Sequence, residues 1–254
     1  MKSWVRNLRV SVQMLCLPLA TIAPVMASAD ALGLRVSAGL WAQDFSGTVQ
    51  DGFTRIDVQD DLRMDDENNN VFTVNIEHPV PFLPNLRVRH TALEQDASAS
   101  LVRDIDFDGQ LFRLDIDVAS DIDLSHTDAT LYYEVLDNWV SLDLGLTARA
   151  FDGEVSIRSA SNFASEEIDE VVPLVYLRTA FQLPLSGLSV GAEANAIGYD
   201  DDSFVNASGF IAYQSGMGLC VDVGYRVIQL YIEESDIIAD VEVDGGYVAL
   251  GYHL

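Results

Sequence analysis

A chain of 254 residues with 40 acidic side chains against 14 basic ones carries a formal charge of −26, which argues against nucleic acid or an anionic lipid face as a partner and favours cations or basic partners. Its two cysteines, Cys16 and Cys220, are too few for a disulfide-stapled secreted module. The length suits one sizeable domain or one barrel.

Lys2, Arg6 and Arg9 precede an apolar run from Val10 to Ala23, and Ala27-Ser28-Ala29 stands before Asp30 as a small-residue cleavage site. This pattern predicts a secretory signal peptide over residues 1–29 and a mature chain over 30–254. The mature part keeps 11 basic residues, all arginine, and one cysteine. None of its segments approaches the ~20 continuous apolar residues of a membrane helix, so an exported chain that enters a membrane has only the closed barrel left.

Alternating apolar and polar residues then recur along the chain, the mark of strands with one apolar and one polar face. Leu32 to Gln43 places Leu34, Val36, Ala38 and Leu40 outward, and Arg35, Ser37, Trp41 and Gln43 inward. A long acidic loop is expected from Asp44 to Asn69. Asn70 to His78 returns with Thr73, Asn75 and Glu77 inward, and Pro79, Pro81 and Pro84 make a short connection. Leu86 to Leu93 turns Arg87, Arg89 and Thr91 inward, and Glu94 to Leu124 is a second excursion with a hairpin at Asp108-Gly109.

The strongest alternation lies in the hairpin Ser125 to Phe151, where Leu142, Leu144, Leu146 and Ala148 oppose Ser141, Asp143, Thr147 and Arg149. Tyr132, Tyr133, Trp139 and, at the C-terminus, Tyr252 are expected as interfacial aromatics at the head-group layer. A third acidic loop spans Asp152 to Glu170. Val171 to Leu183, Leu188 to Tyr199, Phe204 to Gln214, Leu219 to Tyr231 and a run to Leu254 complete the set.

These runs predict an all-β fold: a transmembrane, antiparallel, up-and-down β-barrel of about ten strands, within a range of about eight to twelve. Short connections at Pro79, Leu136, Pro184 and Ser215 alternate with long acidic ones, the acidic connection after Tyr199 being an exception in length, as when one end faces the periplasm and the other the exterior. A soluble β-sandwich alternates too, but its inner face is dry. Here the polar face carries Arg35, Glu77, Arg87, Arg89, Asp143, Arg149, Arg178, Glu193, Asp222 and Arg226, a charge network suited to a barrel lumen. Inward Trp41, Phe151, Tyr176 and Tyr199 favour a filled lumen.

Four blocks carry a family resemblance: Ala29-Asp30-Ala31-Leu32-Gly33-Leu34, Glu77-His78-Pro79-Val80-Pro81-Phe82-Leu83-Pro84-Asn85, Asp123-Leu124-Ser125-His126-Thr127-Asp128, and Leu131-Tyr132-Tyr133-Glu134-Val135-Leu136-Asp137-Asn138-Trp139-Val140-Ser141-Leu142-Asp143-Leu144-Gly145. In these the chain resembles small proteobacterial outer-membrane β-barrel proteins whose biochemical function is not established. The resemblance implies the outer membrane of a Gram-negative cell, and it implies no reaction and no ligand. At the end of the chain Tyr252 fits an export signal, whereas Leu254 and Ala249 stand where such signals carry an aromatic residue and a glycine.

Candidate chemistry is sparse. Asp57, Asp60, Asp61, Asp65, Asp66 and Glu67 form an acidic run that offers hard oxygens to calcium or other divalent cations, without the spacing of an EF-hand, and a solvated loop explains it as well. His126 and Asp128, with His90, form a candidate acid/base set at the outer rim, against the plainer reading of structural histidines. Zinc spacing, a phosphate loop and a nucleotide fingerprint are missing, so no cofactor is expected. The partners expected are outer-membrane lipid and lipopolysaccharide, and the barrel assembly machinery during biogenesis. The functional expectation is a barrel with acidic external loops and a largely occluded lumen, in a structural or surface-interaction role. A narrow cation-tolerant channel and an outer-membrane hydrolase are the alternatives.

Overall fold

The computed structural model describes residues 32–254 apart from 52–53, 60, 62, 65, 81, 102–103, 108–109, 114–115 and 234–236. The expected signal peptide, Asp60, Asp65 and the Asp108-Gly109 turn lie outside the described residues. The strands are β1 (Gly33–Asp51), β2 (Thr54–Asp57), β3 (Glu67–Glu77), β4 (Asn85–Thr91), β5 (Glu94–Ser100), β6 (Ile105–Phe107), β7 (Gln110–Phe112), β8 (Asp117–Asp123), β9 (His126–Asp137), β10 (Val140–Arg158), β11 (Phe163–Gln182), β12 (Leu188–Tyr199), β13 (Asp202–Gln214), β14 (Leu219–Glu233) and β15 (Ile237–His253).

Ten of them close on themselves in the order β1-β3-β4-β9-β10-β11-β12-β13-β14-β15, every neighbour antiparallel. The closing seam is β1 against β15, from Arg35↔His253 to Asp51↔Ile237. The outer wall is apolar: Val36, Leu40, Phe72, Leu131, Leu146, Val175, Val190, Ile211, Val223 and Leu250 are all exposed. An apolar band of that extent is stable in lipid and a liability in water. The chain is thus a transmembrane antiparallel β-barrel of ten strands, as the alternation predicts.

All four short connections fall where expected. Asn138 and Trp139 join β9 to β10, and the Pro184–Gly187 turn uses positive φ at Leu185 (63°) and Gly187 (71°). His78 ties the proline-rich turn: its backbone N–H donates to Asn85 Oδ1 (3.1 Å), and its Nδ1 accepts from Val80 N–H (3.2 Å). Trp139, Tyr133 and Tyr252 sit exposed toward this short-turn end, and Trp139 meets Phe181 edge-on at 5.3 Å. Tyr132 corrects the expected interfacial set. It is 4% exposed and points into the lumen, because neighbours on a strand face opposite sides and Tyr133 has the outer one.

At the opposite end the long excursions are largely paired sheet, not loop. Residues 152–170 continue β10 and β11, with Asp152↔Asp169 through Arg158↔Phe163 in register. The second excursion is β5 paired with β8, and β8 also pairs with the outer part of β10. The strands β6 and β7 pair on either side of Asp108-Gly109. Thus β4 with β5, and β8 with β9, are two long strands, each kinked once. At the kink Leu93 N–H donates to Ser125 Oγ (3.1 Å), and Leu124 N–H to Leu93 O (2.8 Å). Pro173 is tolerated because the β11–β12 pairing runs only from Val175 to Gln182, leaving Pro173 on a free edge.

Residues 44–69 also differ from a solvated loop. The strand β1 runs on to Asp51 and pairs with β2, and Val58 and Met64 fold back into the barrel mouth. Around Trp41 the β1–β15 register is unbroken: Trp41 faces Tyr247 and Asp44 faces Asp244. Between these pairs Gly245 has φ 152°, and a Cβ there would overlap the Ala42 carbonyl oxygen. Replacing Gly245 by Ala should lower barrel stability by about 2 kcal/mol or more, read as a lower urea midpoint for the refolded protein.

Candidate functional site in the barrel lumen

Inward residues of all ten strands meet in the lumen, and the ten charged positions expected there all lie on its wall. Toward the short-turn end Arg35 forks onto Asp222 (2.8 and 2.6 Å), and Tyr132 O–H donates to Glu77 (3.0 Å). Arg178 approaches Asp143 at 3.4 Å. Glu193 accepts from both Arg87 and Arg89, the latter at 2.8 Å, and Arg87 also donates to Tyr176 Oη (3.0 Å). These groups surround a cavity of about 350 Å³.

At mid-height the inward side chains bond to one another. Arg149, fully buried, forks onto Asp128 with two bonds of 2.7 Å. Thr130, Thr147 and Asn195 form a chain with links of 2.7 Å each. Arg226 reaches across the lumen from β14, donating to Asn206 Oδ1 (2.9 Å) and to Thr91 Oγ1 (3.1 Å). Its guanidinium stacks over Trp41, 4.5 Å from the ring centre, and Trp41 is fixed by an indole bond to Gly245 O (3.2 Å). Such pairing is what lets charges leave water at all.

Above this layer the inward side chains are apolar. Trp41, Phe45, Val58, Met64, Leu93, Ala97, Ile228 and Val243 make one apolar cluster. Further out, Ile56 of β2 packs on Leu101, Val118, Ile157 and Ala164, so the two projecting lobes touch above the mouth.

The structure relocates several candidates. Asp128, weighed as a rim acid, is the buried partner of Arg149. His126 is enclosed, with Nδ1 3.0 Å from Leu124 O and its ring 5.4 Å from Phe151. His90 lies on the other face of the wall beside Thr127 (3.1 Å), so the three do not form one site. Parity along β9 places His126, Asp128, Thr130 and Tyr132 together, but counting back from the Asn138 turn would set Ala129 opposite Arg149, and a one-residue register shift between Leu142 and Asp143 brings Asp128 there instead. Tyr199 does not fill the lumen: it ends β12 at the hairpin turn and is 65% exposed. Asp61 of the calcium candidate is buried and accepts the Asp57 N–H (2.8 Å). Among the described residues no three His, Cys, Asp or Glu side chains converge as metal ligands.

No family model matches the chain, and no curated protein sequence does either. Among solved structures it is similar to the outer membrane protease OmpT from Escherichia coli, with a TM-score of 0.56 and 9% identity over 91% of this chain and 99% of that one. It is also similar to the translocator domain of the autotransporter NalP from Neisseria meningitidis, with a TM-score of 0.46 and 12% identity over 89% and 90% of the two chains. At such identities the likeness to OmpT is one of fold. The ten-stranded barrel that the lumen belongs to is therefore of the outer-membrane kind.

Two outcomes follow from this geometry. Replacing Asp128 by Asn should strand a buried guanidinium and cost about 3–5 kcal/mol in urea unfolding, and adding Arg149→Met should recover part of that loss. On the projecting hairpin Asp121 lies opposite Asp96. Partial burial, the hydrogen bond shared with Asp96, and the charges of Asp96, Asp123 and Glu154 hold its carboxyl above the usual range. A raised folded value means that protonation favours the paired hairpin, and this stabilisation fades as pH rises through that value. Hydrogen exchange over β5 and β8, corrected for intrinsic rates, should show more protection near the ordinary carboxylate pKa, about pH 4, than at neutral pH. Asp121→Asn should abolish the difference.

Proposed function

We propose that this chain resides in the outer membrane of a Gram-negative cell as a closed barrel, with its short turns in the periplasm and its long hairpins outside. In this reading the lumen transports nothing, and the projecting sheet acts as a structural or surface-interaction module. The observation that carries it is the mid-lumen layer of Trp41, Arg149 and Arg226 under an apolar cluster of eight buried side chains. A hydrated ion crossing that layer would have to break the Arg149–Asp128 pair and open a dry core, each of which is costly.

The outward hairpins support the interaction role. Asp152, Glu154, Glu167 and Asp169 on the β10–β11 hairpin, with Glu94, Asp96, Asp117 and Asp121 on the β5–β8 hairpin, are exposed. An acidic surface of this kind resists non-specific adhesion and selects basic partners. The sequence resemblance to small outer-membrane barrels without an established reaction agrees with this role. A hydrolase built on His126 and Asp128 would need both groups at a solvent-facing site, and both are enclosed.

Conductance tests the proposal against a narrow pore. The refolded chain in a planar bilayer should give no unitary currents at voltages that open porins. Stable unitary steps would replace the closed barrel by a channel.

A further inference from the structure

The lumen ion pairs do not balance. Arg35 with Asp222, Arg178 with Asp143 and Arg149 with Asp128 are matched one to one, whereas Arg87 and Arg89 share the single carboxylate of Glu193. Arg226 forms no ion pair among the described residues, although it is 4% exposed. Its polar contacts are the neutral oxygens of Asn206 and Thr91, and its Nη2 is a buried donor without an acceptor. The Nε atoms of Arg87 and Arg89 are likewise buried and unaccepted.

All three arginines line the 350 Å³ cavity, which runs from the short-turn end to the layer that Arg226 helps to close. Three further acids of this cavity, Glu77, Glu134 and Asp137, belong to the strand ends beside the short turns, away from Arg226. The inner end is therefore cationic, within a chain whose overall charge is −26. A guanidinium with free N–H groups in a low-dielectric recess is the standard receptor for a carboxylate or phosphate, because the donor fork matches two oxygens and the charge is little screened. The cavity volume lies in the range of small-molecule sites, roughly 300–1,000 Å³.

We propose that this vestibule is a binding site for a small carboxylate or phosphate anion, held by Arg226 at the closed end and by Arg87 and Arg89 on the side wall. The anion enters from the short-turn end and supplies the negative charge that Glu193 cannot give to two arginines and that Arg226 lacks. The site rests on the closed-lumen reading, because a blind cavity retains a ligand that a through-channel would pass.

Calorimetry on the refolded full chain in detergent micelles tests it, with inorganic phosphate and acetate as separate probes at matched ionic strength. Saturable binding of at least one probe is expected, and the two arms separate a phosphorylated ligand from a carboxylate. Arg226→Met should weaken binding on the order of tenfold or more. Arg158→Gln, whose arginine stacks on Phe163 in the outer hairpin, should leave it unchanged. Should Arg226→Met fail to refold, Arg89→Gln serves in its place with the same expected weakening. No saturable binding of either probe, or wild-type binding in the refolded variant, overturns the site. Closure is read independently: unitary currents with binding retained would remove the closed-lumen reading alone, and silent bilayers without binding would remove the site alone.

Discussion

Backbone amides in hydrocarbon have no water to bond, and each one left open costs several kcal/mol. A sheet that crosses a membrane must therefore have no edge within it. Here the condition is met by pairing the first strand with the last, fifteen residue pairs from Arg35↔His253 to Asp51↔Ile237. Once that seam is closed, the period of two along each strand divides every residue between lipid and lumen. The composition of the lumen is a consequence of closure.

Ten strands enclose a narrow interior, so the inward side chains of opposite walls touch. Arg226 spans from β14 to Thr91 on β4, and Arg149 neutralises Asp128 on the adjoining strand. The lumen then divides by chemistry. The half nearer the short turns is polar, with paired charges around a cavity, and the other half is apolar and packed like the core of a soluble protein. This second core is what allows β1, β10 and β11, of 19, 19 and 20 residues, to continue well past the 9–11 residues or so that a bilayer requires. Strands that leave the membrane need something to pack on, and Val58, Met64, Leu93 and Ile56 supply it.

The same division explains the distribution of acidic residues. In the lumen carboxylates stand beside an arginine or a hydroxyl donor, as with Asp222, Glu193 and Glu77. On the projecting sheet water screens them, and they can stand opposite one another, as Asp121 stands opposite Asp96 and Asp152 opposite Asp169. Such edges are also protected from pairing with other chains, since Glu167 and Asp169 lie on the part of β11 that β12 does not cover.

Alternation with the turn residues determined the fold class, a count of about ten strands, the four short turns and the inward side of the ten charged lumen positions, because a side-chain period of two is a local property of an extended backbone. Parity along β9 also carried the inward placement of Asp128 and Tyr132, which the grouping of Tyr132 with Tyr133 as an aromatic band concealed. Tertiary structure decided what local pattern does not encode. Which arginine meets which acid depends on register between strands far apart in sequence, as with Arg35 and Asp222, and on the register shift in the β9–β10 pair that sets Asp128 opposite Arg149. Whether residues 44–69, 94–124 and 152–170 are loop or sheet depended on the apolar contacts they make above the membrane. Those acidic stretches read as solvated in isolation, because the few apolar residues that fix them, such as Ile56, Val58 and Met64, find their partners only once the barrel has closed.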